Sequence, residues 1–467
     1  MSAVDDTRQA QVSFWNDPKT RSTAVQIIMV IALLAVGYEL YVNASANLAK
    51  LGKTFGYEFW NKSSGFDILQ SLIPYTSSSS YGTAIIVGFL NTLLVAVFGI
   101  LLATIIGFIA GIARLSKNWL VAKIATVYVE TIRNIPLLLQ IFIWYGAVLK
   151  PLPGPKQAID IGGFYTGNFA VFVGILGFII GALSCMALWR IFRDYRSTFA
   201  ARLATWFLMA VGCIISFWIF MMIGGAIASL AFSGEGGGMF LSNRGLNMPS
   251  PVFGAGAWLG LTGLVVGIVA AVWLGKWSRA RQAATGEIFP HTSVGIGLIV
   301  LLPILGLLVM GWPVTWDYPT IGGFNFSGGI TVIPEFLALL IALSVYTGTF
   351  IAEIVRSGIQ AISHGQTEAA GALGLRQGLT TRLVTIPQAM RIIIPPLASQ
   401  YLNLTKNSSL AVAIAYPDLV AMGGTVLNQT GKAIEVMLIF MAVYLSLSLL
   451  TSSFMNWFNS RMKLVER

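Results

Sequence analysis

Apolar residues run almost unbroken through ten stretches of the chain, at 23–42, 83–113, 119–149, 168–189, 203–232, 257–275, 293–312, 332–355, 391–416 and 434–458. A helix needs roughly 20 residues to cross a hydrocarbon core, and these runs supply them. Crossings of a closed strand barrel would alternate polar with apolar over about ten residues, and these do not. The pattern predicts an all-α, polytopic membrane protein with about ten transmembrane helices.

Polar residues are shared unevenly among the runs. The first, fourth, fifth, sixth and seventh are nearly pure apolar and rich in glycine, which suits helices that face lipid or pack closely on one another. The other five carry Asn91 and Thr92, Glu130 and Arg133, Tyr346 and Glu353, Lys406 to Ser409, and Glu435. A charge at membrane depth costs at least ~2.5 kcal/mol, so it persists where it faces protein or water. Those five runs are expected to enclose a pathway.

Composition narrows the class further. The 467 residues are 56% hydrophobic and 10% charged, against about 25% charged in an ordinary soluble domain, which excludes a soluble enzyme and a disordered chain. Cys185 and Cys213 lie inside apolar runs and read as packing residues rather than a disulfide framework. The net charge of +11 suggests nucleic acid only until the positions are read. With a cytoplasmic N-terminus, 20 of the 29 Lys and Arg residues fall on the inner side and 7 on the outer, while Arg133 and Lys406 lie within spans. That asymmetry places both termini in the cytoplasm. Ala44-Ser45-Ala46 resembles a cleavage site, but the run before it exceeds the usual ~7–15 residues, so an uncleaved anchor is expected. The polar, aromatic segment from Asn43 to Tyr81 is expected to lie along the outer membrane surface.

Individual residues carry sharper expectations. Asn403, Thr405, Lys406, Asn407, Ser408 and Ser409 make the ninth run the least hydrophobic, and Pro395-Pro396 is expected to break its helix early and free carbonyls toward a wet cavity. Lys406 has two readings: an ion pair with Glu353 or Glu130, or a cation offered to an anionic substrate. Glu130 and Arg133, spaced i, i+3, are expected to pair locally. In the longest inner stretch, from Arg356 to Met390, Ser363-His364-Gly365-Gln366 reads as a capping box and Gly374 as the C-terminal cap of a short helix. About ten residues are marginal as a helix in water, so this one needs something to dock on. Leu373 and Leu375 give it an apolar edge, for a groove on a soluble partner or, equally, for its own protein.

These residues carry a resemblance. Glu368-Ala369-Ala370, Gly374 and Val384-Thr385-Ile386-Pro387 resemble the EAA signature of ABC importer permeases, with Val in place of its Ile and Ile in place of its Leu. Ala352-Glu353-Ile354-Val355-Arg356-Ser357-Gly358-Ile359, Pro387-Gln388-Ala389-Met390-Arg391 and Lys406-Asn407-Ser408-Ser409-Leu410 look like the polar amino acid permease family. Asn91-Thr92-Leu93 and the stretch Tyr128 to Leu138 resemble its first core helices. Asp17-Pro18-Lys19-Thr20-Arg21 and Tyr416-Pro417-Asp418-Leu419-Val420 look most like the larger permeases of general L-amino acid importers. Short family members lack the four runs within 150–331 and the run before the core, so the resemblance divides the chain into 1–82 with the first helix and an outer segment, 83–149 as the first part of the core, 150–331 as an insertion, and 332–467 as the second part, with the coupling loop at 361–387.

The resemblance implies a type I ABC importer transmembrane subunit in a bacterial inner membrane. It implies pairing with a second, different permease above two cytoplasmic ATPase subunits, which bind ATP and Mg, and below a periplasmic amino acid-binding protein. His364, Glu368, Ala369, Ala370, Leu373 and Gly374 would couple to the ATPase, and Asn91, Glu130, Arg133, Glu353, Lys406, Asn407 and Ser408 would line the substrate pathway. The chain itself holds no phosphate-cradling loop: Gly52-Lys53-Thr54 comes nearest and has Asn47 where the first glycine belongs. His291 and His364, the two histidines, lack metal-ligand spacing, and no catalytic pair stands in the runs. An ion-gradient carrier is the alternative class; such carriers show paired halves, and no internal repeat is found here.

Overall fold

The computed structural model describes residues 18–50, 55–163, 238–287, 289–311 and 313–462, with a few positions between 211 and 222. The protein is mostly helical. Among the described residues, six helices are long and apolar enough to cross a membrane, and two bent helix pairs bring the number to eight if each pair is one span. They fall on eight of the ten expected runs; 203–232, apart from those few positions, and 168–189 lie outside the described residues.

The chain packs as two compact units, residues 1–92 with 417–456, and residues 93–416 with 457–467. Within the first lie α1 (Pro18–Lys50), the start of α2 (Tyr81–Arg114) and a helix that we number α11 (Leu419–Thr430). Phe59, Ile85, Leu419, Val426 and Val436 form its apolar centre. Asp418 caps α11, its side chain accepting from Ala421 N at 2.8 Å. The apolar side chains along α1 are exposed, the state expected of a helix whose surroundings are acyl chains.

The second unit is built on α3 (Trp119–Asn134), α4 (Leu137–Phe142, continuing as a π-helix over Ile143–Leu149), α5 (Trp258–Thr285), α6 (His291–Val309) and α7 (Pro334–Gln360). After α7 come α8 (His364–Ala372), α9 (Gln377–Thr380) and α10 (Ile386–Asn407); α12 (Ala433–Met462) follows α11 and ends in this unit. Asn118 starts α3 by accepting from Leu120 N and Val121 N, the usual remedy for unpaired first-turn donors. Pro136 pushes Ile135 into an extended conformation and the helix turns by 104°. Gln140, buried, donates to Ile132 O and Ile135 O, both at 2.9 Å, so the carbonyls at the break are satisfied inside the protein.

The end of α2, α3 and α7 form one seam through Ala110, Val129 and Ala352. The backbones meet because residue 107 has no side chain: a Cβ there would stand 2.5 Å from Ile351 Cβ and 2.9 Å from Gly348 O. Tyr128 adds a hydrogen bond to Val345 O at 2.8 Å. α5 and α6 pack on one another with Gly260, Gly267 and Gly295 buried, as the small-residue content of those runs foretells.

One feature has no counterpart in the expectation of an all-α chain. Among the described residues, the loops between 159 and 332 hold eight short strands, β1 (Ile159–Gly163), β2 (Gly238–Ser242), β3 (Gly245–Met248), β4 (Ser250–Phe253), β5 (Val314–Asp317), β6 (Thr320–Gly322), β7 (Asn325–Ser327) and β8 (Ile330–Val332). Four of them form an antiparallel sheet in the order β1-β2-β3-β8, β4 pairs with β5, and β6 with β7. They are three to five residues long, too short for a period-two pattern to stand out from a polar loop. β8 ends just before Pro334, so this lobe sits at one end of α7 and the α8 segment at the other.

Candidate functional site

The segment after α7 is built as a short rod. Ser363 precedes α8 in an extended conformation, but the expected capping box does not form: no side-chain cap bond is made, Gln366 N reaches Ser363 O, and the Gln366 amide oxygen accepts from Gln388 Nε2 at 3.3 Å. Tertiary contact with α10 has outcompeted the local cap. The other end follows expectation. Gly374 has φ +76°, with Gly374 N bonded to Gly371 O at 2.9 Å and Leu375 N to Ala370 O at 3.1 Å, the two bonds of a left-handed helix stop. Ala370 is the buried residue of α8; His364, Glu368, Ala369 and Leu373 are exposed, Leu373 at 83%.

Where α7 approaches that rod, four charges assemble. Arg114, at the end of α2, donates from one guanidinium nitrogen to Glu353 Oε2 at 2.5 Å and from the other to Glu130 Oε1 at 3.3 Å. Arg356 donates to Glu353 Oε1 at 2.5 Å and to Gln360 Oε1 at 2.7 Å. The expected Glu130–Arg133 pair is not formed among the described residues: Glu130 turns to Arg114, and Arg133 lies over the Phe350 ring at 5.3 Å. The tertiary fork of Arg114 wins over an i, i+3 pair whose worth is only ~0.2–0.5 kcal/mol. Glu353 is likewise engaged, so the reading of Lys406 as its counter-ion is set aside.

Lys406 is exposed, and its ammonium has no hydrogen bond or ion pair among the described residues. Ile392, Pro395, Ser399, Asn403 and Lys406 are all exposed along α10, at steps of three and four that place them on one helix face. The proline pair does not break the helix as expected; α10 runs through Pro395 and Pro396 to Asn407. Its ladder changes later, tightening to a 3-10 turn over Ser408–Ile414 and reversing at Ala415, whose φ is +58°. Ser408 is buried and donates to Thr405 O at 2.7 Å, a local bond that aims its hydroxyl back at its own helix. Asn407 is half-buried at the end of α10.

Asn91 stands apart, in the first unit. Fully buried, it donates from Nδ2 to Gln70 O and to Pro417 O, both at 2.9 Å, and so anchors the entry to α11. Its place is that of a structural donor between backbone carbonyls. Asn91→Ala should cost about 2 kcal/mol through the stranded carbonyls; thermal unfolding in detergent measures it, and an unchanged midpoint would refute the role.

Arg114, Arg356, Gln140 and Gln388 were not singled out by sequence reasoning. For Arg356 the signal was present, three residues after Glu353; for Arg114 there was none, since Glu130 and Glu353 each had an arginine three residues on. Comparison with known proteins places these residues in context. The family model described as "Binding-protein-dependent transport system inner membrane component" matches residues 263–464. The chain is similar to the general L-amino acid transport system permease protein AapQ of Rhizobium johnstonii, 47% identical over 97% of this chain and 94% of that one. It is 42% identical to the putative amino-acid ABC transporter permease protein YhdX of Escherichia coli over the whole of both chains. Similarity to the glutamate/glutamine/aspartate/asparagine transport system permease protein BztB of Rhodobacter capsulatus is 41% over 97% of this chain and 96% of that one.

Proposed function

We infer the function from a settled premise: the chain belongs to the family of binding-protein-dependent transport system inner membrane components, among the permeases of amino acid ABC transporters. It acts as the membrane-spanning permease subunit of an ATP-driven importer of L-amino acids. The observation that carries the mechanism is α8, a nine-residue helix with Ala370 inward and Leu373 exposed just past its end, tied to α10 through Gln366 and Gln388. A helix this short keeps its shape only when docked, and its open side is the seat for a cytoplasmic ATPase. Both termini and α8 then lie in the cytoplasm, and the strand lobe faces the periplasm, where a soluble binding protein delivers substrate.

ATP and Mg are held by two ATPase subunits, and a second permease completes the pathway. Residues 83–149 and 332–467 supply the core, with 150–331 inserted between them. The α10 face with Ser399, Asn403 and Lys406 cannot rest against acyl chains without a penalty; it faces the pathway, where the ammonium meets the substrate carboxylate. Nucleotide-driven closure of the ATPases shifts α8, and the seam of α2, α3 and α7 moves with it.

The test is uptake by the reconstituted complex. Gly374→Val places a branched side chain in a left-handed conformation that costs L-residues about 1–2 kcal/mol and disturbs the stop of α8. ATP hydrolysis should persist while uptake falls several-fold. Normal uptake removes α8 from the coupling path, and steady uptake by the chain alone on a proton or sodium gradient overturns the function.

A further inference from the structure

The four charges at the inner end of the seam form a continuous line rather than separate pairs. It starts at Glu130 on α3, passes through Arg114 on α2 to Glu353 on α7, and continues by Arg356 to Gln360, the last residue of α7. Three residues later, Ser363 begins the rod. Among the described residues, Tyr128 and Arg133 tie α3 to α7 alone, a shorter reach than this line. Arg114 is the member that touches two other helices, and its side chain is 10% exposed, against 55% for Glu130. A guanidinium with its donors fixed in a planar fork holds two carboxylates at a set angle, which a flexible ammonium does not.

We propose that the line Glu130–Arg114–Glu353–Arg356–Gln360 is the strut that carries displacement of α8 into α2 and α3, with Arg114 and Glu353 as its positioning residues. The inference rests on the reading of α8 as the ATPase-facing rod. The apolar contact through Ala110, Val129 and Ala352 is non-directional. The charge-assisted bonds of the Arg114 fork add fixed directions to that contact, and Arg114 itself is little exposed. The strut therefore converts a push on the rod into joint movement of three helices. Both carboxylates, assigned from sequence to the substrate pathway, are engaged in this line and serve the pathway by moving its walls.

The experiment uses the full complex with its partner permease, ATPase subunits and binding protein in liposomes, carrying Arg114→Gln, Glu353→Gln, the double variant or Arg114→Lys. Amino acid taken up per ATP hydrolysed should fall about fivefold or more in either single Gln variant, the loss that follows from about 1 kcal/mol of coupling. Binding-protein stimulation of hydrolysis should fade with it. The double variant should fall no further than the singles, and Arg114→Lys should retain more than Arg114→Gln. Unchanged uptake per ATP overturns the strut, as does a parallel loss of hydrolysis and uptake at constant ratio. Should Arg114→Gln not assemble, Gln360→Ala at the exposed end of the line carries the same readout. Wild-type complex without ATP-driven uptake would instead sink the permease reading itself.

Discussion

Gly107→Val should nearly abolish the folded permease. The Cβ would lie 2.5 Å from Ile351 Cβ and 2.9 Å from the backbone oxygen of Gly348, and the next glycine along the helix, Gly111, stands as close to Ala352 O, at 2.7 Å for its own missing Cβ. A backbone oxygen cannot swing aside as a side-chain tip can, so relief requires α2 and α7 to separate. Overpacking of a well-filled interior typically costs about 1–3 kcal/mol, and here separation would also strip Ala110, Val129 and Ala352 of their contacts. Values of 3 kcal/mol or more, at the top of that range, leave little assembled protein. Size-exclusion yield and thermal unfolding in detergent read the effect. Wild-type yield and midpoint would show that the two helices meet elsewhere.

Lys406→Gln should cut substrate uptake by roughly 10- to 100-fold while leaving assembly intact, since a hydrogen bond to a charged group is worth about 1.5–3 kcal/mol. The two halves of that expectation have separate grounds. Loss of uptake follows from an ammonium with no partner among the described residues, on a face that also shows Ser399 and Asn403. Intact assembly follows from the same fact, because removal of an unpaired charge strands nothing. Uptake at varied substrate concentration separates weaker binding from slower turnover. Undiminished uptake would place the carboxylate elsewhere, and loss of assembly would give Lys406 a structural role at the permease partner.

Much of the architecture was legible because bilayer physics writes itself into sequence. Uninterrupted apolar length located the eight spans found among the described residues. Gly374 was legible for a different reason, as a left-handed stop leaves few alternatives to glycine. What escaped were choices between partners. Glu130 has Arg133 one turn away and Arg114 on another helix, and only the folded distance decides between them. Ser363 and Gln366 satisfied the capping pattern, yet Gln388 captured the Gln366 side chain. Pro395-Pro396 promised a break that came instead at Ser408–Ala415. The strands of the insertion were invisible because pairings three to five residues long are selected by tertiary closeness rather than by local pattern.

The site where Gly107 meets Ile351 divides α7 unequally. From Ile351 to Pro334, where the strand lobe begins, the helix extends about 25 Å, and from Ile351 to Gln360 about 13 Å, at 1.5 Å per residue. Under the proposed function, α7 turning together with α2 and α3 about that level is a lever with unequal arms. Under the proposed function, for every ångström that the short arm moves beside α8, the long arm sweeps about two at its other end, by the ratio of those lengths. On that proposal a short stroke beside α8 is enlarged at the end of α7 beside the strand lobe.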